Sequence, residues 1–179
     1  MKSLLSLHTM VTIAFERQVI WLIPTLARLV FAGVLLVYFW GSAATKLDGP
    51  FTPSIGSYGQ IFPRAFEAVG YDPSQLGLWH QLVVLAGTYA EFLLPVLIVI
   101  GLLTRLAAIG MIGFTLVQSL TDIIGHGVAS GAWFDRASDA LILDQRAFWL
   151  FLLIVLVLKG PGPLSADRVL GVETVRLAA

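Results

Sequence analysis

The stretch LWHQLVVLAGTYAEFLLPVLIVIGLL, from Leu78 to Leu103, decides the fold. It holds one charged residue, Glu91, and at about 1.5 Å of rise per residue it exceeds the roughly 30 Å of a bilayer's hydrocarbon core. Three further stretches read the same way, over 19–44, 106–124 and 139–159. The uncharged run from Ala147 to Leu158 is too short to cross alone, so the fourth span must begin near Asp139 and carry Asp144 and Arg146 at the bilayer edge. Composition agrees, with 58% hydrophobic and 12% charged residues, against about 25% charged in a soluble domain. Lipid offers the backbone no hydrogen-bond partners, which leaves helices or a closed barrel, and these runs are far longer than barrel strands. The expected fold is an all-α, integral membrane four-helix bundle in one domain over 1–179.

Several function classes are excluded. The formal charge is zero, without a basic cluster, so nucleic acid is not a partner. Cysteine is absent, which removes disulfides, thiolate metal sites, iron–sulfur clusters and thiol relays. There is no Gly-rich phosphate loop and no Ser/His/Asp nucleophile arrangement, so nucleotide-binding and hydrolase readings fail.

The weakly apolar stretch from Leu4 to Phe15 follows Lys2 and ends at Glu16 and Arg17, without an Ala-x-Ala-like cleavage site. It reads as a short interfacial lead-in helix rather than a signal peptide. Four spans put both termini on one side, with Lys2, Arg17, Arg105, Lys159, Arg168 and Arg176. The other side holds Lys46, Arg64, Arg136 and Arg146 beside Asp48, Glu67, Asp72, Asp135, Asp139 and Asp144. The positive-inside rule then makes the termini cytoplasmic. Trp21 and Trp40 bracket the first span, about 28 Å apart, while Trp79 and Trp149 mark where the second and fourth spans enter from outside.

The outer loop from Thr45 to Gly77 carries pattern. Ile61, Ala65, Phe66 and Val69 recur at helical spacing, with Arg64 and Glu67 opposite and Pro63 suited to a first turn. This predicts a short amphipathic helix on the outer membrane surface. Gly70-Tyr71-Asp72-Pro73 then turns the chain into the second span.

Unpaired charges inside a bilayer cost several kcal/mol, so Arg28 and Glu91 need partners. Arg28 lies twelve residues inward of Trp40 and Glu91 twelve inward of Trp79. Both therefore fall about 18 Å below the outer interface, and a buried Arg28–Glu91 ion pair is expected. Such a pair either fixes helix register or marks a site. On the second helix His80, Gly87, Thr88, Glu91 and Pro95 share a face, a kinked polar stripe suited to a ligand wall. Thr115, Gln118, Asp122 and His126 make a comparable stripe on the third. Lys46, Arg146 and His126 also fit interfacial side chains that reach out to water.

His80 and His126 end adjacent helices on one side, yet two histidines without a characteristic spacing are a weak metal or haem signal. No metal ligand is assigned, and no cofactor motif is evident. Haem is disfavoured.

The order of these features resembles the DoxX family of four-helix membrane proteins. The resemblance rests on the first span with Arg28, Gly33, Gly41 and Lys46, and on Glu91 through Leu93-Leu94-Pro95 to Gly101-Leu102-Leu103-Thr104-Arg105-Leu106-Ala107-Ala108. It also rests on the tail Gly160-Pro161-Gly162-Pro163-Leu164-Ser165-Ala166-Asp167. It implies a multi-pass protein of a bacterial-type plasma membrane, in a family that includes a thiosulfate:quinone oxidoreductase subunit and partners in oxidative-stress complexes. Three functions follow as expectations. The first is a quinone-interacting redox subunit, with Glu91, Arg28 and Asp122 in catalytic roles and His80, Thr88, Gln118, His126 and Lys46 around the ligand. The second is a non-catalytic anchor for a separately encoded enzyme or metal-handling protein, and the third a small transporter, which would need to oligomerise. The outer loops, longer than in simple members, leave the substrate open.

Overall fold

The computed structural model describes residues 2–172, with side chains from Thr9 onward except those at 11, 14–18 and 20. Lys2, Arg17 and Arg176, which entered the charge count, have side chains outside that set.

Helix α1 (Lys2–Phe31) runs without a break from the lead-in stretch into the first span. A separate interfacial helix was expected there, but no glycine or proline interrupts the chain before Pro24. The Thr25 hydroxyl donates to the Trp21 carbonyl at 2.6 Å in the turn around Pro24. A π-helical segment, Ala32–Leu36, joins α1 to α2 (Val37–Ala44). The outer loop follows as a hairpin, β1 (Leu47–Gly49) with β2 (Thr52–Pro53), then α3 (Ile55–Ile61) and α4 (Pro63–Ala68). The second span is α5 (Leu78–Ile100). The third is α6 (Thr104–Leu120) with a π turn, Thr121–Gly125. A π segment, Leu141–Arg146, opens the fourth and leads into α7 (Ala147–Lys159), and α8 (Ala166–Val169) closes the tail.

Four spans are long and apolar enough to cross a membrane: Trp21–Ala44, Leu78–Ile100, Thr104–Gly125 and Leu141–Lys159. They pack in chain order, and the fourth closes the ring against the first. Phe31, Leu35 and Phe39 interlock at the centre with Ile98, Met111, Leu153 and Leu156. Large apolar side chains such as Val37, Phe148 and Leu158 face outward instead, as they do where the solvent is lipid.

Two helices form a ledge over the loop, the expected short helix as α4 and α3 before it. The break falls at Phe62 (φ −125°, ψ 53°), because Pro63 disfavours helical geometry in the residue before it and then starts α4 at its own first position. Phe66 and Tyr58 pack with Val84 of α5, while Arg64 and Glu67 stay exposed. The ledge therefore covers the loop end of the bundle. Asp72 closes the following turn by accepting from the Ser74 amide at 2.9 Å.

At the tail end, Gly101 ends α5 with φ +73°, a conformation glycine adopts freely. The Asp167 carboxylate then accepts from the Leu103 amide (2.6 Å), the Thr104 amide (3.0 Å) and the Thr104 hydroxyl (3.0 Å), capping α6 from a distant part of the chain.

Candidate functional site

Arg28 and Glu91 are not partners. The Arg28 guanidinium sits at the tail end and donates to the carbonyls of Ile98 (3.0 Å), Val99 (2.5 Å), Pro161 (3.0 Å) and Leu164. It is consumed by the last turn of α5 and by the Gly160–Asp167 tail. Arg28 therefore ties the first span to the tail and does not reach a ligand nearer the loops.

Glu91 pairs with Lys46. Lys46 Nζ lies 2.7 Å from Glu91 Oε2 and 3.0 Å from Oε1, and also donates to Ser42 Oγ at 2.6 Å. Both charged side chains are almost fully buried. Of the two readings open for Lys46, a side chain reaching out to water and a residue of the site, the structure shows the inward one, because a buried carboxylate well inside α5 supplies the better partner. Ser42, one turn before Lys46, completes the arrangement by donating to Glu91 Oε1 at 3.4 Å.

Arg146 is buried as well, not interfacial. It forms a 2.5 Å ion pair with Asp122, donates to Ser119 Oγ at 3.0 Å and lies 5.9 Å from the Trp149 ring centroid. Both members of this pair come from π-helical turns. An extra residue per turn rotates Asp122 and Arg146 toward each other across the third and fourth spans.

A cavity of about 480 Å³ lies against these groups, between the second and third spans with the end of the first. Lys46, Glu91, Gln118, Asp122 and His126 all line it, beside apolar Val83, Ala90, Leu94, Phe114 and Val117. Five of the eight expected site residues are thus brought together. His126 is exposed at the mouth and donates from Nε2 to the Gln60 carbonyl at 3.0 Å. Gln118 donates to the Tyr38 hydroxyl at 3.4 Å, while its own carbonyl oxygen is buried with no partner.

The other three stand apart from the cavity. Arg28 is at the opposite end. Thr88 is fully buried and its hydroxyl donates back to the Val84 carbonyl at 2.7 Å. His80 packs edge-on against Phe62, with ring centroids 4.8 Å apart. Among the described residues no group of three or more His, Asp or Glu is gathered as a metal would require. Ser42 was not foreseen, although its place four residues before Lys46 on one helical face was the available signal.

A second cavity, about 530 Å³ between the first and fourth spans, is walled by Val30, Phe31, Val34, Leu35 and other apolar groups, with Tyr38 and Gln145 its polar members. It has no ionisable lining residue besides Tyr38, and the chemistry belongs to the first cavity.

Neither the curated proteins nor the solved structures contain a match to this chain. The DoxX family model, in contrast, matches residues 23–122, more than half of the sequence and all of the cavity-lining residues apart from His126. That match, together with four membrane-crossing helices, makes the chain a multi-pass membrane protein of the DoxX family.

Proposed function

We propose that this protein is the quinone-interacting subunit of a membrane redox complex. The observation that carries the reading is one cavity in which a buried Lys46–Glu91 pair, Gln118 and Asp122, with Ser42, Gln60, Thr121 and His126, are set among apolar side chains such as Val83, Leu94, Phe114 and Val117. Apolar pockets with a few convergent polar groups are what flat, sparingly polar rings occupy. A bound quinone supplies a two-electron, two-proton acceptor. In this reading Lys46 and Ser42 hold the Glu91 carboxylate at the cavity wall, Glu91 holds or releases a proton beside the ring, and His126 exchanges protons with the loop side.

The chain has no cysteine and no gathered metal ligands among its described residues, so electrons would reach the site through a partner or a bound cofactor. A separately encoded partner, in a sulfur-metabolising or oxidative-stress complex, is therefore part of the proposal. The basic groups Arg105, Lys159 and Arg168 at the tail end, and the acids Asp48, Glu67, Asp72, Asp135 and Asp139 at the loop end, support cytoplasmic termini in a plasma membrane. A single cysteine replacing Asp135 in this cysteine-free chain should react with an impermeant maleimide from outside.

The test of function is quinone reduction in membranes carrying Glu91→Gln or Asp122→Asn at unchanged protein level. Loss of reduction in both supports the role. Full activity in both, with a stoichiometric companion on purification, replaces it with a non-catalytic anchor.

A further inference from the structure

The polar cavity opens in two directions. At the loop end its mouth is formed by Gln60 and His126, both exposed. Along its flank Ala86, Gly113 and Val117 line the cavity and are at the same time exposed on the outside of the second and third spans. That outside surface faces lipid.

Glycine keeps the flank open. A Cβ built on Gly87 or on Gly113 would meet nothing within 4 Å, so the seam between the two helices is unfilled at this level. Deeper in the membrane the seam shuts, since a Cβ on Gly110 would already lie 3.1 Å from Leu94. The result is a slot of limited height, bounded by the Gly110–Leu94 contact on one side and by the ledge on the other.

Charge inside the slot is already matched. Lys46 is paired with Glu91, and Asp122 with Arg146. A charged headgroup would bring an uncompensated ion into a low-dielectric space, whereas an uncharged ring meets donors and acceptors in place. Gln118 adds an amide whose carbonyl oxygen has no partner.

We infer that the seam between the second and third spans is a lateral portal, through which the site takes an uncharged, ring-headed ligand from the bilayer while the ligand's apolar tail stays in lipid between Ala86 and Val117. The identity of the ring as a quinone rests on the function proposed above; the portal does not.

Two arms of one experiment separate these claims. In nanodiscs, binding is compared for a benzoquinone with a decyl tail and for one carrying only methyl groups. Gly113→Leu fills the slot and should weaken the tailed ring at least tenfold, while the small ring, which can use the loop-end mouth, stays within about twofold. Ala86→Phe on the facing wall should repeat the effect, and an unchanged melting temperature shows that both variants fold. Equal losses for both rings, or no loss for either, overturn the portal.

The second arm uses no quinone. A cysteine replacing Ala90, inside the slot, is labelled with a long-chain maleimide dissolved in the lipid and with a charged, water-soluble one. The lipid-dissolved reagent should react faster, and adding Gly113→Leu should slow it about tenfold. If neither ring binds the unmodified protein, the quinone reading falls and this labelling alone decides the portal. Equal labelling rates with and without the Gly113→Leu substitution overturn it.

Discussion

Lys46 Nζ and Glu91 Oε2 lie 2.7 Å apart inside the membrane, with Ser42 bonded to both. Lys46 comes from the end of the first span and Glu91 from the middle of the second, so their contact fixes how the two helices are stacked. Removing one partner strands the other. Lys46→Met alone is expected to cost about 3 kcal/mol or more, whereas Lys46→Met combined with Glu91→Leu should cost less than the sum of those two single changes. Unfolding of the three variants in detergent, read as a double-mutant cycle, checks this. Additive losses would mean the pair carries no coupling.

Arg28→Lys should be nearly as damaging as Arg28→Ala. The guanidinium spreads its donors over four carbonyls from two segments, and a single ammonium cannot span them. The expected loss is about 3 kcal/mol, accompanied by faster proteolysis of the tail beyond Lys159. A lysine variant with normal stability would show that the carbonyls are satisfied in another way.

Gly101→Ala and Gly87→Ala should differ sharply. Gly101 has φ +73°, and a Cβ there would fall 2.6 Å from Ser165 Cβ and 2.8 Å from Arg28 Cζ. The cost is expected at about 2 kcal/mol or more, while Gly87→Ala, which meets open space, should change the melting temperature little. Equal effects would contradict the tight approach at the tail end.

Asp72 offers a pH test outside the membrane. Hydrogen bonding from Ser74, through its side chain and its amide, holds the Asp72 carboxyl below the ordinary aspartate range. A depressed folded value means the turn is fully stabilised above the ordinary range and loses that support as pH falls through the lower, folded value. The Ser74 amide resonance should therefore titrate with a midpoint below that of an unstructured aspartate. Asp72→Asn should abolish the titration.

The four spans were legible because a bilayer imposes length and hydropathy directly on sequence. The expected second span ran to Leu103 and the observed helix stops at Ile100, because Gly101 takes a left-handed turn. The Arg28 partner was misplaced for a physical reason. Depth was counted from Trp40 as an interface marker, but Trp40 lies beside Phe92 and donates to its carbonyl at 3.1 Å, next to Glu91. Counting inward from there puts Arg28 level with the Gly101 turn, where it is found. The direction of Lys46 and Arg146 stayed open because long cationic side chains can turn either way, and only the packed helices reveal which way offers an acid. Nor could the π turns that swing Asp122 toward Arg146 be seen in a hydropathy pattern, which assumes regular winding.

The tail's grip on Arg28 has a bearing on how the chain is made. Two of the four acceptors belong to Pro161 and Leu164, and Pro161 is 133 residues downstream of Arg28. At ribosomal speeds of about 5–20 residues per second, the first helix must wait roughly 7–27 seconds for them. Until then a permanent cation in a newly inserted helix lacks at least half of its final partners, and before the second span is made it lacks all four. The first span therefore reaches its final hydrogen bonding only after the fourth span has been made.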